Sequence, residues 1–114
     1  VTVWTALDDA TVDNGCITVL AGSHKLGLIN ERSAFFSEEQ CGDLEARFDS
    51  VVLEFQAGES VVLHNWLLHT SGVNRTDRER RAFSAAYMEA ATRASNGREF
   101  SVIFGAGAIA PQAA

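Results

Sequence analysis

The residues able to do chemistry gather in one stretch, "LLHTSGVNRTDRERRAF", running from Leu67 to Phe83. His69 ends an apolar run, and Arg80, eleven residues further on, opens another. Histidine is the commonest transition-metal ligand and the main acid or base near neutral pH. Arginine binds a carboxylate through two parallel hydrogen bonds. Fully extended, the interval would carry Arg80 roughly 36 Å from His69. However, Thr70, Ser71, Gly72 and Asn74 favour turns and the following segment is polar, so the chain is expected to double back and bring Arg80 beside the end of the His69 strand. An arginine whose head turns inward needs an anion, because an unpaired buried charge is costly. Ser71 shares the turn and could add a hydroxyl donor. The competing reading makes Arg75, Arg78, Arg80 and Arg81 a solvated basic loop balanced by Asp77 and Glu79. Spacing leaves both readings open.

The other two histidines are His24 and His64. His64 and His69 are separated by an odd number of positions, so on one continuous strand they would face opposite sides. On a helix they would lie about 140° apart. They form a metal clamp only if the chain turns at Asn65.

Short strands must position these residues. Val1 to Leu7 is rich in β-branched residues and Trp and reads as a strand. "DDATVDNG" (8–15) is turn-rich and ends in Asn14-Gly15, the strongest short hairpin dipeptide. "CITVL" (16–20) and "VVLEFQ" (51–56) read as strands, with "AGSHKLG" a loop. "VVLHNWLLHTSG" is one long strand or two consecutive ones, and "RAFSAAYMEA" is another, with Phe83, Ala85 and Tyr87 on one side. Between strands, Ser37 with Glu38 and Glu39 is a helix start, predicting a short helix weakened by Gly42 within an insertion over residues 28–50. From Thr92 the chain is a Gly/Ala-rich tail. Many closely spaced strands with one helical insertion predict an all-β fold, a partial double-stranded β-helix or jelly roll.

Composition narrows the function classes. A net charge of −6 disfavours nucleic acid or an anionic membrane as the main partner. No apolar run is long enough to span a bilayer, and no secretory signal appears. Cys16 and Cys41 make no metal or redox spacing and read as reduced thiols of a cytoplasmic protein. "VTVWTAL" reads as a strand already under way, so the expectation is a piece of a longer protein.

Three ordered blocks carry a family resemblance: "WTALDDATVDNGCITVLAGSHKLG" (4–27), "AGESVVLHNWLLHTSGVN" (57–74) and "RRAFSAAYM" (80–88). Together they resemble the phytanoyl-CoA dioxygenase family of iron(II)- and 2-oxoglutarate-dependent oxygenases. The resemblance implies that His69 is the distal iron ligand and that Arg80 pairs with the far carboxylate of 2-oxoglutarate. It places Ser71 near that carboxylate and Trp4 on a strand lining the cosubstrate pocket. His24 is implied to be structural or at the pocket rim, and His64 a strand-end residue. Ala21 stands where the family usually has proline. The resemblance further implies Fe(II) and 2-oxoglutarate, allows ascorbate, and predicts hydroxylation of an unactivated C–H on a small organic or acyl substrate.

The family's other two ligands come from an H-x-D or H-x-E motif ahead of the Trp4 strand, which this sequence does not contain. The expectation is therefore the C-terminal part of a jelly-roll oxygenase over residues 1–91, with a tail over 92–114, inactive without the missing N-terminal part of the same domain. Two alternatives remain. One is a non-catalytic jelly-roll binding domain that has lost its metal site; the other is a cupin-like metalloprotein with a different ligand set.

Overall fold

The structure, a computed structural model, describes residues 1–30 and 35–109. The parts of the insertion and tail at 31–34 and 110–114 lie outside the described residues. Among the described residues six strands form: β1 (Thr2–Ala6), β2 (Ile17–Leu20), β3 (Ser50–Leu53), β4 (Ser60–Leu63), β5 (His69–Ser71) and β6 (Ala82–Ala86). One helix, α1 (Glu38–Arg47), and a 3-10 turn over Ser23–Leu26 complete the described elements. The strands make two antiparallel three-stranded sheets, in the orders β4-β1-β6 and β3-β2-β5. This is the partial jelly roll expected, with its single helical insertion.

Alternation along each strand selects the facing surfaces. In one sheet Trp4 lies opposite Val61 and Ser84, and Thr2 opposite Leu63 and Ala86. In the other Val19 lies opposite Val51 and His69, and Ile17 opposite Leu53 and Ser71. Ile17, Val19 and Leu63 are buried together between the sheets, with Trp4, Leu53, Val61 and Leu67 packed around them. The small core thus sits on the faces that also carry His69, Ser71 and Trp4.

Several boundaries differ from expectation for clear reasons. Asn14-Gly15 does not close a hairpin, because β1 and β2 belong to different sheets. The turn carries the chain across the sandwich instead. Asn14 is buried and braces it, accepting from the Thr11 N–H (2.7 Å) and donating to the Asp9 carbonyl (2.8 Å). The 51–56 strand is β3 followed by a break, with Phe55 paired alone to Ala10. The 61–70 run is two strands in different sheets, separated by a turn in which the Leu67 N–H donates to the His64 carbonyl (2.9 Å). The strand expected to begin near Arg80 starts at Ala82. Inside the "GSHK" loop lies the 3-10 turn, entered through Gly22 at φ 82°.

The helix start is as expected. The Ser37 hydroxyl accepts from the Gln40 N–H, and the Gln40 side chain accepts from the Ser37 N–H, a reciprocal cap. Gly42 is accommodated within α1, whose Leu44 is buried. Residues 92–109 form no helix or strand.

Candidate functional site

A cavity of about 760 Å³ opens between the two sheets and reaches α1. His69, Ser71, Trp4 and Arg80 all line it. The four residues singled out from the sequence therefore meet around one space, drawn from two strands, β1 and β5, and the segment before a third, β6.

The ring of His69 is oriented by its own turn. Its Nδ1 lies 3.0 Å from the Leu67 carbonyl oxygen. A carbonyl only accepts, so Nδ1 carries the proton and Nε2 keeps its lone pair. A metal-ligating histidine commonly donates its second ring N–H to a carbonyl in this way, which fixes the tautomer and raises the basicity of the free nitrogen. His64 is arranged oppositely: its Nδ1 accepts the Trp66 N–H at 3.1 Å, so the proton resides on Nε2 and neither nitrogen of the neutral ring is open to a metal. The chain does turn at Asn65, yet the two rings are not an equivalent pair. His24 stacks at a tilt on His64, with ring centroids 5.1 Å apart, and the edge of Trp66 closes the group. Among the described residues no group of three or more His, Cys, Asp or Glu could hold a metal ion. His69 fits one coordination position of an iron site, and the described residues do not supply the others.

Backbone contacts hold β5 from both ends. The buried Ser23 hydroxyl accepts the Leu68 N–H (3.0 Å), just ahead of His69, and the Leu20 N–H donates to the Leu68 carbonyl (3.0 Å). Past Ser71, Gly72 packs backbone to backbone on Gly15, whose φ is +83°. A Cβ on Gly15 would collide with the Gly72 carbonyl. Ser23, Asn14 and Gly15 brace the segment around β5 without being groups whose type alone suggests chemistry. The turn residues of "DDATVDNG" and the "GSHK" motif were their only local signals.

Arg80 is half-buried, and among the described residues it has no carboxylate within ion-pair distance. Its neighbour Arg81 is the one that fits the solvated-loop reading, pairing with Glu79 at 3.1 Å and Asp8 at 2.9 Å. The sheet register explains the division. Ala82 lies opposite Ala6 and Ser84 opposite Trp4, so even-numbered positions at this end share the Trp4 face. Arg80 continues that parity into the cavity. Trp4 is itself steadied by a tilted contact with Phe55, ring centroids 5.1 Å apart.

Of the cysteines, Cys16 is buried, and burial pushes its thiol above the ordinary range. Cys41 is exposed on α1 at the cavity wall. No helix among the described residues is long and apolar enough to cross a membrane.

Comparison with known proteins agrees with this geometry. The chain is 32% identical over 91 residues to a phytanoyl-CoA dioxygenase of Arabidopsis thaliana, covering 76% of this chain and 32% of that protein. It is 35% identical over 92 residues to phytanoyl-CoA dioxygenase 1 of Oryza sativa subsp. japonica, covering 72% and 30%. Among solved structures it resembles the non-heme alpha-ketoglutarate-dependent epimerase SnoN from nogalamycin biosynthesis. That match has a TM-score of 0.60 and 34% identity, and covers 78% of this chain and 31% of that one. The chain thus spans about a third of the length of the relatives it matches. The family model for phytanoyl-CoA dioxygenase matches residues 1–82, a span containing Trp4, His69, Ser71 and Arg80, and the chain belongs to the phytanoyl-CoA dioxygenase family.

Proposed function

We propose that this chain supplies the distal metal ligand and the cosubstrate anchor of a non-haem iron(II)- and 2-oxoglutarate-dependent oxygenase. The observation that carries the reading is the pairing of two inward groups on opposite sheets. His69 presents a free Nε2 because its Nδ1–H donates to the Leu67 carbonyl, and Arg80 presents a guanidinium with no carboxylate within ion-pair distance among the described residues. Arg80 would hold the far carboxylate of 2-oxoglutarate bidentately, with Ser71 adding a hydroxyl and Trp4 walling the pocket. Fe(II) in such a site supplies the oxygen activation, and this chain's residues ligate, orient and exclude water.

Residues 1–91 are read as the C-terminal part of a jelly-roll domain and 92–114 as its tail, with the remaining iron ligands outside this chain. On its own the chain is therefore inactive. Hydroxylation of an unactivated C–H on a small organic or acyl substrate is the outcome we favour. A second outcome has its own support, since one similar solved structure is that of an epimerase.

The test uses the full-length protein, measuring Fe(II) binding and succinate formed from 2-oxoglutarate. His69→Ala should weaken iron binding by more than about tenfold, and Arg80→Ala should raise the KM for 2-oxoglutarate. His64→Ala should leave iron stoichiometry unchanged. No iron binding by the full-length protein, with 2-oxoglutarate held without metal, would favour the non-catalytic binding domain instead, and tight iron binding that survives His69→Ala would favour a metalloprotein with a different ligand set.

A further inference from the structure

Arg80 and Arg81 are adjacent and chemically identical, yet the proposed function gives only one of them to the cosubstrate. A slip of β6 by a single residue would exchange their faces. Burial along β6 does not break the tie, because one face carries only Ala82, Ser84 and Ala86, and the one large residue of the other face, Phe83, is 62% exposed.

The tie is broken from β1. Just past that strand, Asp8 grips Arg81 through both carboxylate oxygens. Oδ2 accepts the Arg81 backbone N–H at 2.8 Å and its Nε–H at 2.9 Å, and Oδ1 accepts an Nη2–H at 2.9 Å. The Arg81 carbonyl in turn accepts the Leu7 N–H (3.0 Å) and the Asp8 N–H (3.3 Å). Arg81 is thus held by side chain, N–H and carbonyl at one position, on the side away from the cavity. Arg80 is left to point in.

We propose that Asp8 and Arg81 are positioning residues for cosubstrate binding: their clip locks the register of β6 so that Arg80, and not Arg81, faces the cavity. The inference rests on Arg80 being the 2-oxoglutarate anchor. Isolated surface ion pairs contribute little to stability, and Arg81 is 65% exposed. The clip's value lies in which alignment it selects. The two side-chain bonds select the arginine by its charge, and the backbone N–H ties the same carboxylate to a position along the strand.

The experiment measures 2-oxoglutarate affinity by calorimetry in the full-length protein loaded with Mn(II), beside a thermal melt and the Kd for Mn(II) itself. Asp8→Ala and Arg81→Ala should each raise the Kd for 2-oxoglutarate about tenfold, and the double variant should add little, as expected of one coupled network. Asp8→Glu should recover most of the affinity. The Kd for Mn(II) should stay within about twofold, which a general loss of structure would not allow. If Asp8→Ala gives no folded protein, Arg81→Ala decides, since it keeps the N–H that Asp8 accepts. Folded variants whose Kd for 2-oxoglutarate is unchanged, while Arg80→Ala abolishes binding, overturn the clip and leave the proposed function standing. Binding that survives Arg80→Ala overturns both.

Discussion

The carboxyl of Asp8 is held at about 2, below its ordinary 3.8, chiefly because the Arg81 side chain donates to it and secondly because the Arg81 N–H does. A carboxylate with a depressed value stabilises the fold above its ordinary range and loses that contribution as pH falls. The window here runs from about pH 4 down to about pH 2. The full-length protein should therefore lose thermal stability on acidification across that window, and Asp8→Asn should flatten this component while lowering stability at neutral pH. Melting curves of the two proteins across the window check it. Equal slopes would mean that the ion pair forms as well in the unfolded chain as in the folded one. Asp8 and Arg81 lie 73 positions apart, so no local pattern in the sequence could pair them. The solvated-loop reading of Arg81 accounts for its exposure and its pairing with Glu79, and leaves out its pairing with Asp8. The proposal of His69 as a ligand starts from its interval to Arg80, which the sequence shows directly. The tautomer that separates His69 from His64 is not legible there, since it depends on which backbone group each ring meets.

At the scale of elements, crossings between sheets decide the site more than the strands themselves. Alternating β-branched residues marked the strands, because a half-buried pleated surface selects those residues. Pairing is long-range, and a strong turn signal such as Asn14-Gly15 says that the chain bends without saying which strands flank the bend. In the structure that bend presses on Gly72, one residue beyond Ser71. Gly15→Ala should therefore act twice. A side chain at φ +83° is strained, and its Cβ meets the Gly72 carbonyl, a combination worth about 1–3 kcal/mol. The displaced backbone is that of the segment carrying His69 and Ser71, so iron affinity should fall along with stability. A melt paired with an Fe(II) titration checks both effects. Lower stability with unchanged iron affinity would mean that β5 is positioned from the Ser23 side alone.

For the whole molecule the ratio of covered to open surface is the governing quantity. Among the described residues the buried hydrophobics are small or few, and Ile17, Val19, Leu44 and Leu63 are the largest of them. Val51, Val62 and Phe83 are exposed at 41%, 65% and 62%, although each sits within a strand. The radius of gyration is 16.9 Å, where a compact domain of this length would have about 13 Å. Each sheet has only three strands, so β3, β4, β5 and β6 are all edges within the described structure. Edges with unpaired N–H and C=O groups beside exposed apolar residues template association with other chains. Residues 1–114 expressed alone should consequently aggregate, or unfold without a cooperative transition and bind a hydrophobic dye. Light scattering, calorimetry and dye fluorescence together read this. A sharp, reversible transition of a monomer would show that six strands suffice to close the core. The cavity would then be a finished pocket of this chain rather than one wall of a larger site.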